Sequence, residues 1–288
     1  MTTSGTRRQP AAAKFRFEPA TLVRRAGWVM LTIGVLLAGF VVYELFVTSF
    51  FANRAQAGLT EDLNERIATV EVETVVYERG DLELIATPLG TPDDVPLPSP
   101  AAITAALESS EGFAATQTVT AGETTPAETV TPVTAAAGSI ISEPAAAPGN
   151  ALGRIEIPSI DLDWTVVEGV TTSDLRKGAG HMPDTALPGQ PGNAVISGHR
   201  TTYGAPFHNL GQTKKGDLIM VTTAAGSHVY QIVEKRVVLP NETWVTGQWE
   251  GSWLTLTTCH PKYSARERLI VFARLVGGPN AATLAAGA

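Results

Sequence analysis

The chain has 288 residues, a formal net charge of −7 and one cysteine, which excludes an internal disulfide framework and a cysteine-rich zinc site. Its charge is uneven, since residues 1–50 carry six basic and two acidic side chains, 51–150 carry three and fifteen, and 151–288 carry twelve and eleven. The C-terminal part is thus nearly neutral, which argues against nucleic acid as its partner.

Residues 26–51 form an apolar run that is interrupted only by Glu44, and six Lys/Arg residues precede it. About 20 apolar residues are enough to span a bilayer. The positive-inside rule then predicts a cytoplasmic tail over 1–25, a single transmembrane helix over 26–51 and an extracellular position for the rest. A cleaved signal peptide is the alternative, because residues 55–57 read Ala-Gln-Ala, but the run is longer than a usual signal h-region.

Residues 52–150 are predicted to form a mostly disordered extracytoplasmic stalk. Leucine and isoleucine recur at helical spacing early in it, which predicts a short helix near 58–70. From about residue 87 the composition is dominated by Ala, Thr, Pro, Glu and Ser. Such a segment buries too little apolar surface to offset the entropy lost on ordering. The stalk would let the following domain reach away from the membrane.

From residue 151 the pattern changes to short β-type runs separated by Gly and Pro. A brief helix with Ser173 as its cap is predicted over 173–177. Many strands with little helix indicate an all-β domain over 151–277, either a small closed barrel or a sandwich, followed by a flexible tail over 278–288. The predicted strands are 154–157, 164–167, 193–197, 217–223, 228–239, 253–258 and 268–275.

Three residues at predicted strand ends could form a catalytic set. Cys259 ends one strand, His199 follows another and Arg268 opens the last one. If the strands of Cys259 and Arg268 pair antiparallel across the loop 260–267, the thiol and the guanidinium lie at one rim. A thiolate nucleophile, a histidine that exchanges protons near neutral pH and a cation that stabilises an oxyanion together suit acyl transfer.

Each of these residues also has a purely structural explanation, as a packed cysteine, a hydrogen-bonded histidine or a strand-edge charge. Arg266 is the alternative to Arg268, because residues two apart on a strand share a face. His260 is the alternative to His199. No metal site and no cofactor is expected, since the other histidines are scattered without acidic neighbours at ligand spacing: His181, His208 and His228.

The motifs around these residues resemble those of a known family. Residues 255–259 read TLTTC and are similar to the TLxTC signature of sortases, and residues 197–199 read SGH, which resembles their histidine site. Arg268 before an apolar strand resembles their arginine site. The resemblance covers about 151–276, and the stretches from Cys259 to Arg268 and from His199 to residue 204 are similar to class E sortases in particular.

The resemblance implies an eight-stranded sortase barrel and a membrane-anchored cysteine transpeptidase. Cys259 would attack the Thr–Gly bond of a C-terminal sorting signal of LAxTG or LPxTG type, His199 would protonate the departing amine and Arg268 would stabilise the tetrahedral intermediate. The implied partners are secreted proteins that carry such signals and a peptidoglycan precursor amine as acceptor. Tyr203 and Thr258 are candidate substrate contacts near the second signal position.

Three alternatives to this function stay open. A pilin lysine as acceptor would make the enzyme a pilin polymerase. An exported cysteine hydrolase of unrelated fold would need a downstream histidine or a Gly-Cys elbow, and no such elbow precedes Cys259. A non-catalytic stalked surface domain would leave Cys259 without a chemical role.

Overall fold

The computed structural model describes residues 19–77, 89, 95–114 and 138–285. The chain forms two compact units, Met1–Tyr43 and Glu44–Ala288. The first unit contains helix α1 (Pro19–Val42). Within the described residues, its stretch Val23–Val42 is the one helix long and apolar enough to cross a membrane, by length and composition, and none of it is buried.

A short π-helical turn, Tyr43–Val47, contains the boundary between the two units, and the second unit begins within it. Four helices and ten strands make up its described part, apart from three 3₁₀ turns and the π-helical turn. In chain order they are α2 (Thr48–Thr69), β1 (Glu73–Val76), α3 (Pro100–Ala114), β2 (Ser139–Ser142), β3 (Ala151–Ile157), β4 (Leu162–Glu168), α4 (Thr172–Leu175), β5 (Ala179–His181), β6 (Gly192–Ser197), β7 (Leu218–Thr223), β8 (Gly226–Val238), β9 (Ser252–His260), β10 (Glu267–Gly277) and α5 (Ala281–Ala285).

Eight of the strands close into a barrel in the order β10-β8-β7-β3-β4-β5-β6-β9. Neighbouring strands are antiparallel except for two parallel pairs, β4 with β5 and β6 with β9. The prediction of an all-β domain with a small closed barrel of about eight strands is confirmed, and the sandwich alternative is wrong because the sheet closes on itself.

Apolar side chains that alternate along the strands fill the barrel. Leu254 and Leu256 of β9 belong to this interior cluster, together with Val271 of β10. Trp253 belongs to a second cluster on the outside of β8, β9 and β10. Because successive side chains of a strand face opposite ways, odd-numbered residues of β9 point out of the barrel, and Cys259 is one of them.

Two local predictions differ from the structure. Strand β5 was not predicted, because three residues are too few to show an alternating pattern. The short helix α4 is capped by Thr171 and not by Ser173: the Thr171 side chain accepts a hydrogen bond from the Asp174 backbone N–H, and the Asp174 carboxylate accepts one from the Thr171 backbone N–H. This reciprocal pair is a capping box, which satisfies two otherwise free donors at the start of the helix.

The predicted stalk is not free of the barrel where the structure describes it. Leu63 of α2 is fully buried, and with Leu59 it packs on Ala151 and Val167 of the barrel. Helix α3 packs Ala106 into a small cluster on β7 and β8, and β1 pairs antiparallel with β2. Helix α2 includes the short helix predicted near 58–70, and these segments pack on the barrel or on each other where a mostly disordered stalk was expected. Residues 78–88, 90–94 and 115–137 lie outside the described residues.

A polar side chain fixes the first half of α2 on the barrel. The Gln56 carboxamide accepts a hydrogen bond from the Thr165 backbone N–H (2.8 Å) and donates to the carbonyl oxygens of Thr165 and Lys177 (3.0 Å each). Gln56 therefore satisfies the backbone N–H and carbonyl of Thr165 in β4, as a paired strand would. The residues next to Gln56 in the sequence gave no sign of this role.

The C-terminal segment is also packed, contrary to the predicted flexible tail. Asn280 is fully buried, where its side chain accepts from the Ile141 backbone N–H (2.8 Å) and donates to the carbonyls of Ile141 (2.8 Å) and Gly189 (2.9 Å). Leu284 of α5 is buried as well. Residues 286–288 of the predicted tail lie outside the described residues.

Candidate active site

Cys259 lies on the strand between those that carry the other two predicted catalytic residues. Strand β9 pairs with β10 so that Cys259 stands directly opposite Arg268. On its other side β9 pairs in parallel with β6, where Ser197 stands opposite Thr257. His199 lies two residues beyond Ser197, in the loop that follows β6, and adjacent strands are about 4.8 Å apart. The structure thus brings Cys259, His199 and Arg268 together.

Two hydrogen bonds hold the backbone before His199 against β9. The Gly198 N–H donates to the Thr257 carbonyl (3.1 Å), and the Thr258 hydroxyl donates to the Gly198 carbonyl (2.7 Å). Thr258 is only 3% exposed. Thr258 therefore exposes almost no surface to a substrate, contrary to its predicted role as a substrate contact. Its hydroxyl instead holds the segment that carries His199.

The His199 ring is half-buried against Tyr203, with ring centroids 5.1 Å apart. Its Nε2 atom is buried and has no hydrogen-bond partner within the described part of the chain. Burial lowers the pKa of His199 below its ordinary value of 6.5, and the positive charge of Arg176 lowers it further. The neutral imidazole is therefore favoured at neutral pH in the absence of substrate.

Tyr203 links His199 to a cation that sequence reasoning missed. The guanidinium carbon of Arg176 lies 5.5 Å from the centre of the Tyr203 ring, within range of a cation–π interaction. Tyr203 adopts a left-handed backbone conformation (φ 52°), which is uncommon for residues other than glycine. Its predicted role as a substrate contact is untouched by this geometry, since the side chain is only partly buried beside His199.

Arg268 is partly exposed, and its Nη1 donates to the carbonyl oxygens of Ala265 (2.9 Å), in the loop before β10, and of Glu267 (3.0 Å), the first residue of β10. These bonds hold the guanidinium at the strand end. Arg266 lies in that loop, ahead of β10, and is exposed. The register therefore favours Arg268 over Arg266 as the cation opposite Cys259.

The structure adds Arg200 to the residues around Cys259. Its side chain is 7% exposed, and its Nη1 donates to the Cys259 carbonyl (3.1 Å) and to His260 Nδ1 (2.9 Å). The sequence places Arg200 in a polar loop, where an arginine normally extends into solvent, so its position next to His199 was the only signal. Arg176, distant in sequence, gave none.

The remaining histidines have other environments. His181 Nδ1 is 2.8 Å from a carboxylate oxygen of the buried Glu168, and His208 Nδ1 donates to the Arg200 carbonyl (2.9 Å). His228 is fully buried, and neither of its ring nitrogens has a hydrogen-bond partner in the described residues. Over the same residues, no three His, Cys, Asp or Glu side chains come together as a metal site would require.

Comparisons with known proteins agree with this geometry. The family model "Sortase domain" matches residues 155–276. Sortase D of Bacillus subtilis (strain 168) is 38% identical over 132 residues, which cover 44% of this chain and 65% of the relative. SrtE1 of Streptomyces coelicolor is 29% identical over 147 residues, which cover 45% and 41%. The solved structure of a Clostridium perfringens Sortase D5 transpeptidase is 33% identical, with 46% of this chain and 82% of that chain covered and a TM-score of 0.43.

The match spans less than two thirds of the length of these curated relatives. The family-model match begins inside β3 and ends inside β10, so it includes Cys259, His199 and Arg268. Because the relatives include both a Sortase D and a SrtE1, the particular likeness to class E stays a prediction. The family-model match thus identifies residues 155–276, which form most of the closed barrel, as a sortase domain.

Proposed function

We propose that the protein is a membrane-anchored cysteine transpeptidase that cleaves a C-terminal LAxTG or LPxTG sorting signal between Thr and Gly. The observation that carries the proposal is the position of Cys259, directly opposite Arg268 on one side and beside the segment that carries His199 on the other. A nucleophile with a proton carrier on one side and a cation on the other provides the groups that acyl transfer through a thioester requires.

In the first step His199 takes the proton of the Cys259 thiol as the sulfur attacks the threonine carbonyl carbon, and Arg268 stabilises the oxyanion that forms. The carbon–nitrogen bond to glycine then breaks, and His199 gives a proton to the departing amine, leaving a thioester on Cys259. In the second step an acceptor amine attacks the thioester, His199 takes up its proton and returns it to the sulfur, and the new amide leaves with the thiol restored. No cofactor takes part in either step.

The membrane anchor is α1, and we propose that its N-terminus is cytoplasmic and the barrel extracellular. The basic residues before the helix support this orientation through the positive-inside rule. The packing of α2 supports retention of the helix: cleavage after residue 57 would remove the buried Ala52 and the Gln56 carboxamide that binds Thr165. Signal-peptide residues have no such place in a mature fold.

The test is a thioester assay on the protein lacking 1–43. A peptide with an LAxTG or LPxTG motif is incubated with wild-type protein and with Cys259→Ala, and the intact mass is measured. The wild type is expected to gain the mass of the peptide up to threonine and to release the glycine-led fragment. Cys259→Ala is expected to show neither. Absence of both products from the wild type, with either peptide, would contradict the proposed function.

The acceptor separates the proposed role from its closest alternative. We propose a peptidoglycan precursor amine as the acceptor of secreted proteins that carry the signal. Supplying a wall-peptide amine and a lysine-containing pilin-type peptide in competition measures the preference directly. Preferential transfer to the lysine peptide would instead indicate a pilin-polymerising sortase.

A further inference from the structure

We propose that Arg200 is a positioning residue for this reaction, which ties the strand end that carries Cys259 to the segment that carries His199. The inference rests on the proposed sortase chemistry and adds a residue to it. Arg200 is next to His199 in sequence, and its side chain crosses to β9, where Nη1 donates to the Cys259 carbonyl (3.1 Å) and to His260 Nδ1 (2.9 Å). One residue thus joins both sides of the site.

The contact with His260 has a defined direction. A guanidinium only donates hydrogen bonds, so His260 Nδ1 accepts this one. At the other end of Arg200 the main-chain carbonyl accepts from His208 Nδ1 (2.9 Å). Both ends of Arg200 are therefore held, and the end of β9 is held through them.

A role in stability alone explains the burial of Arg200 poorly. Charged side chains are seldom as buried as 7% exposure unless a counter-charge accompanies them. Within the described residues, no carboxylate lies within ion-pair distance of Arg200. Burial lowers the pKa of Arg200, and the negative charge of the Cys259 thiolate opposes that shift.

Arg200 and Arg268 then have different tasks. Arg268 is partly exposed at the start of β10, where substrate can reach it. Arg200 is enclosed and touches the main chain of Cys259, so it sets the position of the nucleophile instead of binding the substrate. Reactions between positioned groups are sensitive to such placement, and an error of about 1 Å can cost on the order of 10² in rate.

Gly211 offers a way to move the guanidinium without removing it. A Cβ atom at position 211 would lie 2.8 Å from Arg200 Nη2, the far end of a flexible side chain, so Gly211→Ala should displace Arg200 while the charge stays. Gly58 is the matched control, because a Cβ atom there would have no neighbour within 4 Å. Neither glycine belongs to the proposed catalytic set.

The experiment compares Arg200→Gln, Arg200→Lys, Gly211→Ala and Gly58→Ala with the wild type. The single-turnover rate of thioester formation, KM for the signal peptide and Tm are measured for each. Arg200→Gln is expected to lower the acylation rate by about 10² with KM changed less than about threefold, and Arg200→Lys to recover roughly tenfold of that loss. Gly211→Ala should lose about tenfold and Gly58→Ala nothing.

Equal rates for Gly211→Ala and Gly58→Ala would overturn the proposal, as would an Arg200→Lys variant no faster than Arg200→Gln. If Arg200→Gln does not fold, the Gly211→Ala comparison decides. Alkylation of Cys259 by iodoacetamide, which needs no peptide, separates this proposal from the proposed function. A wild type that is alkylated but forms no thioester contradicts the proposed function alone, whereas alkylation equally fast in Gly211→Ala and wild type contradicts the role of Arg200.

Discussion

Cys259 is held by contacts of its backbone, because its side chain must remain free to react. Its strand neighbour Arg268 fixes one side through the β9–β10 ladder, and the hydrogen bond from Thr258 to Gly198 fixes the other. Arg200 adds a third contact at the Cys259 carbonyl. The thiol therefore lies on a strand that is held on both sides, which suits a proposed nucleophile that must meet its partners at defined distances.

The two arginines near the start of β10 give the first prediction. Arg268→Ala is expected to lower kcat/KM for the signal peptide by about 10² to 10³, the usual loss when an oxyanion donor is removed. Arg266→Ala is the control and should retain most activity, since Arg266 is exposed ahead of the strand. Normal activity in Arg268→Ala with loss in Arg266→Ala would show that the arginine assignment is wrong.

Arg176 gives a prediction about pH. Its positive charge contributes to the lowered pKa of His199, so Arg176→Gln should raise that pKa toward its ordinary value. The limb of the kcat/KM profile that reports on His199 should move to higher pH in this variant. Arg176→Lys keeps the charge and should leave the limb where it is. Identical profiles for wild type and Arg176→Gln would argue against electrostatic coupling between the two residues.

His228 makes the stability of the barrel depend on pH. Burial lowers the pKa of His228 from 6.5 to about 4, so the unfolded chain binds a proton that the folded chain refuses. The contribution of neutral His228 to the free energy of unfolding is therefore fully present above pH 6.5 and is lost as the pH falls toward 4. At about 1.4 kcal/mol per pKa unit, the loss approaches roughly 3 kcal/mol.

Urea unfolding of wild type and His228→Leu between pH 7.5 and pH 4 measures this contribution. The variant should show a flatter dependence of the unfolding free energy on pH, while the other histidines contribute equally to both proteins. The same slope in both proteins would mean that His228 is hydrated or partnered in solution.

At the scale of elements, the strands that alternation predicted are all present. His199, Cys259 and Arg268 lie at strand ends of the barrel, where the sequence predicted them. Periodicity succeeds here because half-buried strands must alternate. What it could not give is which strand lies beside which. The parallel pairing of β6 with β9, which brings the segment that carries His199 beside the strand of Cys259, depends on closure of the whole barrel.

The prediction of a disordered stalk failed for a related reason. Residues 48–69 are polar on average, yet a few of them, such as Leu63 and Gln56, bind to barrel residues about a hundred positions later. Composition averages over a segment, whereas docking depends on one face of it. Arg66 shows this as well, since it forms an ion pair of 3.1 Å with the buried Glu143.

Helix α2 is thus expected to contribute to the stability of the domain. Leu63→Ala should lower the free energy of unfolding by about 2 to 5 kcal/mol, the usual range for removing a buried leucine side chain. Leu97→Ala is the control, because Leu97 is 69% exposed. Both values come from urea unfolding of the protein lacking 1–43. A loss below about 0.5 kcal/mol for Leu63→Ala would mean that α2 leaves the barrel in solution.

For the whole molecule, the packing of α2 changes where the domain that contains the barrel begins. Five residues, Tyr43–Val47, separate the end of α1 from the start of α2 along the chain. Since α2 packs on β3 and β4, the catalytic domain begins almost at once after the apolar helix and not after a stalk of a hundred residues.

This view predicts different behaviour for two truncated proteins. One begins at residue 44 and keeps α2, β1 and α3, while the other begins at residue 149. The shorter protein exposes Ala151 and Val167 on one side of the barrel and Met220 and Val229 on another. It also loses β2, whose Ile141 holds the buried Asn280.

If the lost packing amounts to several kcal/mol, the Tm of the shorter protein should fall by about 10 °C or more, at roughly 2 to 4 °C per kcal/mol. Calorimetry of both proteins, with thioester formation measured at 20 °C and 37 °C, provides the comparison. The shorter protein should be less active than the longer one at 37 °C, while the two should differ less at 20 °C. An equal Tm for the two proteins would mean that the segments before residue 149 do not stabilise the barrel.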